Sequence, residues 1–160
     1  GFHSKNNCIL VAMAEVPTRA CRRFIRRLSD EKKIPVIVFT DGDPYGYGNI
    51  YRTLKTGSAN AGHLNEFFSV PQAKYVGVTA QDIKDYELPT HDLKKEDEKK
   101  IRDLLKNDPF FGHYKPWQKE LNLMLKMGQR VEQQAFASRS LDYVQEYLIE
   151  KIIKKKKFLP

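Results

Sequence analysis

Two short runs of unbroken apolar residues, CILVAMA (Cys8–Ala14) and IPVIVFT (Ile34–Thr40), bracket a segment of different periodicity. Apolar runs of this length without alternation suit strands covered on both faces. Between them Cys21, Phe24, Ile25 and Leu28 recur at i, i+3, i+4 and i+7, which predicts an amphipathic helix over residues 18–31 with that face inward. Pro17 and Thr18 suit its start. Strand, helix and strand with short connections predict a parallel pair joined by a right-handed crossover. Asn49–Lys55 can open a second helix before TGSANAG (residues 56–62) interrupts the pattern, and AKYVGV (Ala73–Val78) predicts a third strand. A charged helix follows from a cap-like Asp92 to about Lys106, then a turn at NDPFFG, then helices over about 115–127 and 129–153. The last of these carries Leu141, Val144, Leu148 and Ile152 as its inward stripe. The order predicts an α/β fold, a parallel sheet flanked by helices with additional C-terminal helices. One domain is expected, its sheet core over about residues 1–90 and its helical part over about 91–160.

Charge changes the picture more than size does. The 160 residues carry a formal net charge of +8, and the pI is near 9.4. An acidic partner, nucleic acid first, is expected from that balance, although lysine enrichment alone also occurs in proteins that bind none. Cys8 and Cys21 read as buried free thiols, which suits a reducing cytosol, and neither has a second Cys or His at ligand spacing. No stretch approaches about 18 apolar residues, so no membrane-spanning helix is expected. The start, Gly1–Lys5, has no signal-peptide features and no initiator Met, so a fragment or a processed chain is expected.

The candidate chemistry sits in VFTDGDPYGYGN (Val38–Asn49). Ligands of parallel sheets gather at the carboxyl ends of strands, where Asp41 and Asp43 fall. Residues i and i+2 of an extended chain point to one side, so the two carboxylates face one spot and repel unless a cation or proton relieves them. Mg²⁺ suits such a pair, being a hard ion held by one or two carboxylates together with phosphate oxygens. Asp, Gly and Pro are also ordinary turn residues, and Asp-x-Asp occurs in phosphatases whose first Asp is a nucleophile. On the residues alone these readings stay open.

The flanks narrow them. VPTRACRRFIRRL, PVIVFTDGDPYGYGNIYRTLKTGS and LNEFFSVPQAKYVGVTAQDI together closely resemble the A subunit family of archaeal DNA topoisomerase VI, which also includes the protein that makes meiotic double-strand breaks. The resemblance spans nearly the whole chain and rests on TDGDPYG followed by YRTLKTGS; the residues after Asp43 do not follow the phosphatase pattern. It implies a Toprim domain with the helical C-terminal part of that subunit. The implied function is that of an ATP-dependent type IIB topoisomerase, in which a winged-helix tyrosine attacks double-stranded DNA and Toprim carboxylates hold Mg²⁺. The implied partners are DNA, another copy of the A subunit, and an ATPase B subunit in an A₂B₂ assembly, in the cytoplasm at the nucleoid. By the match, Asp41 and Asp43 are metal ligands. The family's glutamate ligand, its first Toprim strand and its tyrosine fall before Gly1. Residues 1–160 are therefore expected to be inactive alone, to bind Mg²⁺ weakly and to expose a sheet edge. A non-catalytic DNA-binding or subunit-assembly module is the alternative.

Arg19, Arg22, Arg23, Arg26 and Arg27 crowd the predicted first helix and could meet DNA phosphates, or form its solvated face. Lys55, close after the aspartates, is a further phosphate candidate. Tyr45, Tyr47, Tyr51, Phe110, Phe111 and Trp117 read as packing or surface aromatics, and His63, His91 and His113 lack ligand spacing.

Overall fold

The computed structural model describes residues 1–58 and 62–160; residues 59–61, within the predicted interruption, and the side chains of His63 and Leu64 lie outside what it describes. After a single turn α1 (Phe2–Lys5), helix α2 (Arg19–Lys32) leads to strand β1 (Ile37–Phe39). A π-helical turn (Gly46–Tyr51) runs into α3 (Arg52–Thr56), and α4 (Gly62–Phe68) precedes β2 (Lys74–Gly77) and α5 (Ala80–Asp85). Then come β3 (His91–Asp92), α6 (Lys95–Asn107), α7 (Pro109–His113), α8 (Lys115–Met127) and β4 (Gln129–Arg130). A 3-10 turn (Gln133–Ser138), α9 (Tyr143–Ile149) and a π-helical turn (Glu150–Lys154) complete the order. The α/β expectation holds: β1 and β2 pair in parallel, Val38 opposite Tyr75, with helices around them and more helices at the C-terminal end. Among the described residues no helix is long and apolar enough to cross a membrane.

Aromatic side chains fill the space between sheet and helices. Tyr47, Tyr51, Tyr75, Phe111 and Trp117 are fully buried, and the Tyr75 ring lies 5.1 Å from those of Tyr51 and Trp117. Their hydroxyls are satisfied inside the core, as buried polar groups must be. Tyr47 donates to Val78 O at 2.9 Å, Tyr51 donates to Ala73 O at 3.0 Å, and Tyr75 shares a 2.9 Å bond with Thr40 Oγ1. These rings pack; Tyr45 alone of the three loop tyrosines is exposed.

A buried ionic knot ties the C-terminal helix to the end of β2. Lys151 Nζ donates to both Asp82 carboxylate oxygens (3.0 and 2.9 Å) and to Val76 O, while Tyr147 Oη donates to Asp82 Oδ2 at 2.5 Å. Asp82 Oδ2 also accepts from Thr79 N at 3.0 Å, closing the capping box of α5, and Glu120 Oε2 accepts from Ala80 N at 2.8 Å. Asp82, Tyr147 and Lys151 are all at most 3% exposed.

Four expectations need correction. CILVAMA forms no strand: residues 8–14 are irregular, Ile9 and Leu10 are 56% and 62% exposed, and Cys8 is exposed rather than buried. A strand needs a free ladder edge, and β2 has β1 on one side and Leu159 on the other, bonded both ways with Tyr75 at 2.9 and 2.8 Å. On the outer side of β1, Phe39 O already accepts from Gln133 Nε2 at 3.0 Å. The inward stripe of α2 is rotated to Arg22, Ile25 and Ser29, leaving Phe24 half exposed, because α2 packs on α4 and Arg26 fastens it to Glu66 O and Ser69 O. Helix α6 does not start from Asp92, which lies in β3; its N-cap is Lys94, whose backbone N–H donates to the Asp97 carboxylate at 3.0 Å. The expected helix over 129–153 is broken at its start. Gly128 ends α8 at φ 66°, and the chain beyond it pairs as a strand. Leu141 is 84% exposed, and Tyr147 and Lys151, four residues apart, face inward instead.

Candidate metal and phosphate site

Beyond β1 the chain carries Thr40, Asp41, Gly42 and Asp43 into the following helical turn. Gly42 bridges Val131 in antiparallel fashion, its N–H donating to Val131 O at 2.8 Å and its carbonyl accepting from Val131 N at 3.1 Å. Only glycine fits there: a Cβ would lie 2.6 Å from Val131 Cγ1 and 2.7 Å from Val78 O. With Gly42 pinned in extended pairing, the two-residue period directs Asp41 and Asp43 to the same side.

Each carboxylate is held by one oxygen. Asp41 Oδ1 accepts from Gln133 N at 2.7 Å. Asp43 Oδ1 accepts from Gly46 N at 2.6 Å, capping the helical turn that Pro44 begins. Among the described residues, no protein donor meets the second oxygen of either. The Asp43 carboxyl is pushed above its ordinary range, first by burial, with Asp41 and Asp97 adding to the shift and the Gly46 N–H and Arg130 opposing it. Two half-buried carboxylates that repel one another, each with a free oxygen, form a donor set that fits a hard divalent cation. No group of three or more His, Cys, Asp or Glu side chains able to hold an ion occurs among the described residues. The pair would leave the remaining coordination positions to water and phosphate oxygens, the usual condition of Mg²⁺.

Arg130 stands beside this pair. It lies in β4, next to the Val131 that bridges Gly42, and its Nε is 3.8 Å from Asp97 Oδ2. Arg130 and Gln133 reach the site from about ninety positions downstream, inside the stretch expected to be a continuous helix. The signal that could have found them is Gly128, a helix-ending residue directly before QRVEQ.

The predicted phosphate-binding residues separate in the structure. Arg19 and Arg23 are exposed on α2, and Arg27 is exposed but paired with Glu31 at 3.0 Å. Arg22 is buried under the Phe68 ring, and Arg26 is bonded to Asp30, Glu66 O and Ser69 O. Lys55 is 8% exposed; its Nζ donates to Ala73 O at 2.8 Å and lies 5.9 and 5.8 Å from the ring centres of Tyr51 and Tyr114. It faces the core because the helical turn after Asp43 places residues 47, 51, 54 and 55 on one side, so Arg22, Arg26 and Lys55 are anchors within the fold rather than free cations.

Burial lowers Lys55 from 10.5 to about 8, with Lys74 adding to the effect. Between those values the unfolded chain holds the proton more tightly, so stability rises with pH across that window. Lys55→Met is expected to flatten this rise. The check is unfolding free energy from denaturant titration at about pH 7.5 and about pH 10 for both proteins. Equal pH increments in both would refute the assignment.

The chain matches, over residues 1–152, the family model for the Toprim domain of the topoisomerase 6 A subunit/Spo11 family. It is 57% identical over 160 residues to the A subunit of type 2 DNA topoisomerase 6 from Methanocaldococcus jannaschii, an alignment covering 99% of this chain and 43% of that protein. It is 45% identical over 177 residues to the subunit of the same name from Pyrococcus abyssi, covering 99% of this chain and 44% of the relative. With the Natronomonas pharaonis subunit the identity is 40% over 153 residues, covering 95% and 41%. The chain thus spans less than half the length of these curated relatives.

Proposed function

The chain belongs to the Toprim-domain family of the topoisomerase 6 A subunit and Spo11, and from that premise we propose that it is the Mg²⁺-holding portion of the DNA-cleaving A subunit of an ATP-dependent type IIB topoisomerase. The observation that carries this reading is the pair Asp41 and Asp43, both held at one oxygen by backbone N–H groups and both, among the described residues, without a donor on the other oxygen. Bound Mg²⁺ would supply electrostatic stabilisation of the charge that gathers on phosphate oxygens as a tyrosine displaces the DNA strand. The residues of this chain do the holding and aiming. Gln133 N and Gly46 N fix one oxygen of each carboxylate, and the Gly42–Val131 bridge fixes the backbone between them.

In this reading residues 1–160 form one Toprim-type domain. Its partners are double-stranded DNA, another copy of the A subunit, and an ATPase B subunit in an A₂B₂ assembly, at the nucleoid in the cytoplasm. The attacking tyrosine and a glutamate ligand belong to other parts of the protein. Arg19 and Arg23, exposed on α2, are its DNA-facing cations on this chain.

A second reading, a non-catalytic DNA-binding or assembly module, draws on the same two bonds: Asp41 anchors Gln133 and Asp43 caps a helix, so both have structural work. An Asp41→Asn/Asp43→Asn variant of the complete protein, joined to its ATPase partner, separates the two. The metal reading expects DNA binding retained and strand cleavage lost; retained cleavage supports the module. Plasmid relaxation by residues 1–160 alone with Mg²⁺ and ATP is expected to be absent, and reproducible relaxation would count against the division of labour proposed here.

A further inference from the structure

The geometry points to Arg130 as a phosphate-contacting residue of this site, its guanidinium taking a DNA phosphate beside the metal pair; the inference deepens the metal reading and rests on it. Arg130 reaches the aspartates through two pairings, His91 opposite Arg130 in the β3–β4 ribbon and Val131 opposite Gly42.

Arg130 makes a long ion pair with Asp97 and, among the described residues, no hydrogen bond. Its nearest carboxylate oxygen, Asp97 Oδ2 at 3.8 Å, is beyond hydrogen-bond reach and is already taken by Lys94 N. The Nε is shut off from solvent and has no hydrogen-bond partner among the described residues. A guanidinium serving only to neutralise carboxylates gains most from a bidentate fork on one of them. Arg26 bonds Asp30 at 2.5 Å and two backbone carbonyls; among the described residues Arg130 makes no such bond. Its side chain is 23% exposed, so the buried Nε belongs to a group that still reaches the surface. An arginine with donors unused among the described residues, one position along the chain from the Val131 that bridges Gly42 between the two carboxylates, has the charge needed to help grip a phosphate there. The guanidinium meets one phosphate oxygen directly, and the carboxylates meet another through a cation.

The test uses the complete protein joined to its ATPase partner, a DNA duplex, and Mg²⁺ or Mn²⁺. DNA affinity is measured across a salt series, and metal binding is followed separately by Mn²⁺ paramagnetic resonance. Arg130→Gln is expected to weaken DNA binding roughly tenfold and to reduce the slope of log affinity against log salt by about 0.9, the value of one phosphate contact. Metal binding should be equal or tighter, since a neighbouring positive charge is gone. Arg130→Lys should restore the slope and only part of the affinity, because a point charge lacks the fork. Unchanged affinity and slope in Arg130→Gln overturn the contact, as does a loss of affinity with the slope intact. Asp43→Asn, run in parallel, reads the metal by Mn²⁺ binding alone. If it leaves metal binding intact the metal reading falls, while the salt slope by itself upholds or overturns the Arg130 contact.

Discussion

Asp43→Asn is expected to remove metal-dependent DNA cleavage and to leave the protein as stable as before, or more stable. The asparagine keeps an oxygen for Gly46 N, so the cap on the helical turn survives. What disappears is a charge that burial and Asp41 both oppose, as the raised affinity of this carboxyl for its proton shows. Relief of such strain at a functional position adds on the order of 1 kcal/mol to stability. Loss of a cation that stabilises a phosphoryl transition state costs several kcal/mol, or a factor of roughly a thousand in rate. The two effects thus move in opposite directions. Thermal unfolding and single-turnover cleavage by the complete protein check them together. A variant that melts several degrees lower would mark Asp43 as a structural turn residue, and one that still cleaves at the original rate would remove it from the metal site.

Lys151→Ala is expected to be the most destabilising of the changes considered, by about 3–5 kcal/mol, because it strands the Asp82 carboxylate in the interior. For a chain of this size that lowers the melting temperature by roughly 10 °C or more. Burial pulls the Lys151 ammonium below its usual range, and the Asp82 carboxylate holds it up against that pull. Neither charge is comfortable without the other. The double variant Asp82→Asn/Lys151→Met keeps an oxygen for Thr79 N and removes both charges, so it should recover most of the loss. The coupling between the two positions, read from a double-mutant cycle in denaturant, is the decisive quantity. A coupling near zero would show that Lys151 acts through packing alone. The knot also bears on the site, since it anchors Val76 and Thr79 on either side of the Val78 carbonyl against which Gly42 is packed.

Much of the frame could be read locally. The β-branched run before Asp41 became β1, AKYVGV became β2, and the helix expected over 115–127 spans Lys115–Met127. The Asp-Gly-Asp turn was legible because its residue types have local reasons: an oxygen for a cap, a missing Cβ for a close approach, a fixed φ at Pro44. The misreadings have a common cause. CILVAMA has the composition of a buried strand, but composition does not supply a partner edge, and β2 spends its free edge on Leu159. The α2 arginines read as a uniform basic face, yet Arg22 and Arg26 are drawn inward by α4 and its C-terminal loop. Lys55 read as a phosphate candidate by its place after the aspartates, and the turn of its own helix put its ammonium near two rings.

Periodicity, turn chemistry and capping act over a few residues, so the parallel α/β frame, the family and the place of Asp41 and Asp43 at the end of a strand follow from local patterns along the chain. Packing of distant elements brings Gln133 onto Asp41 and Arg130 to the same end of the sheet, buries some cations and not others, and lets Lys151 and Asp82 lock the C-terminal helix to the sheet. Those contacts join positions about seventy to ninety residues apart, and pairings at that separation follow from how the elements pack, which no local pattern of residues encodes.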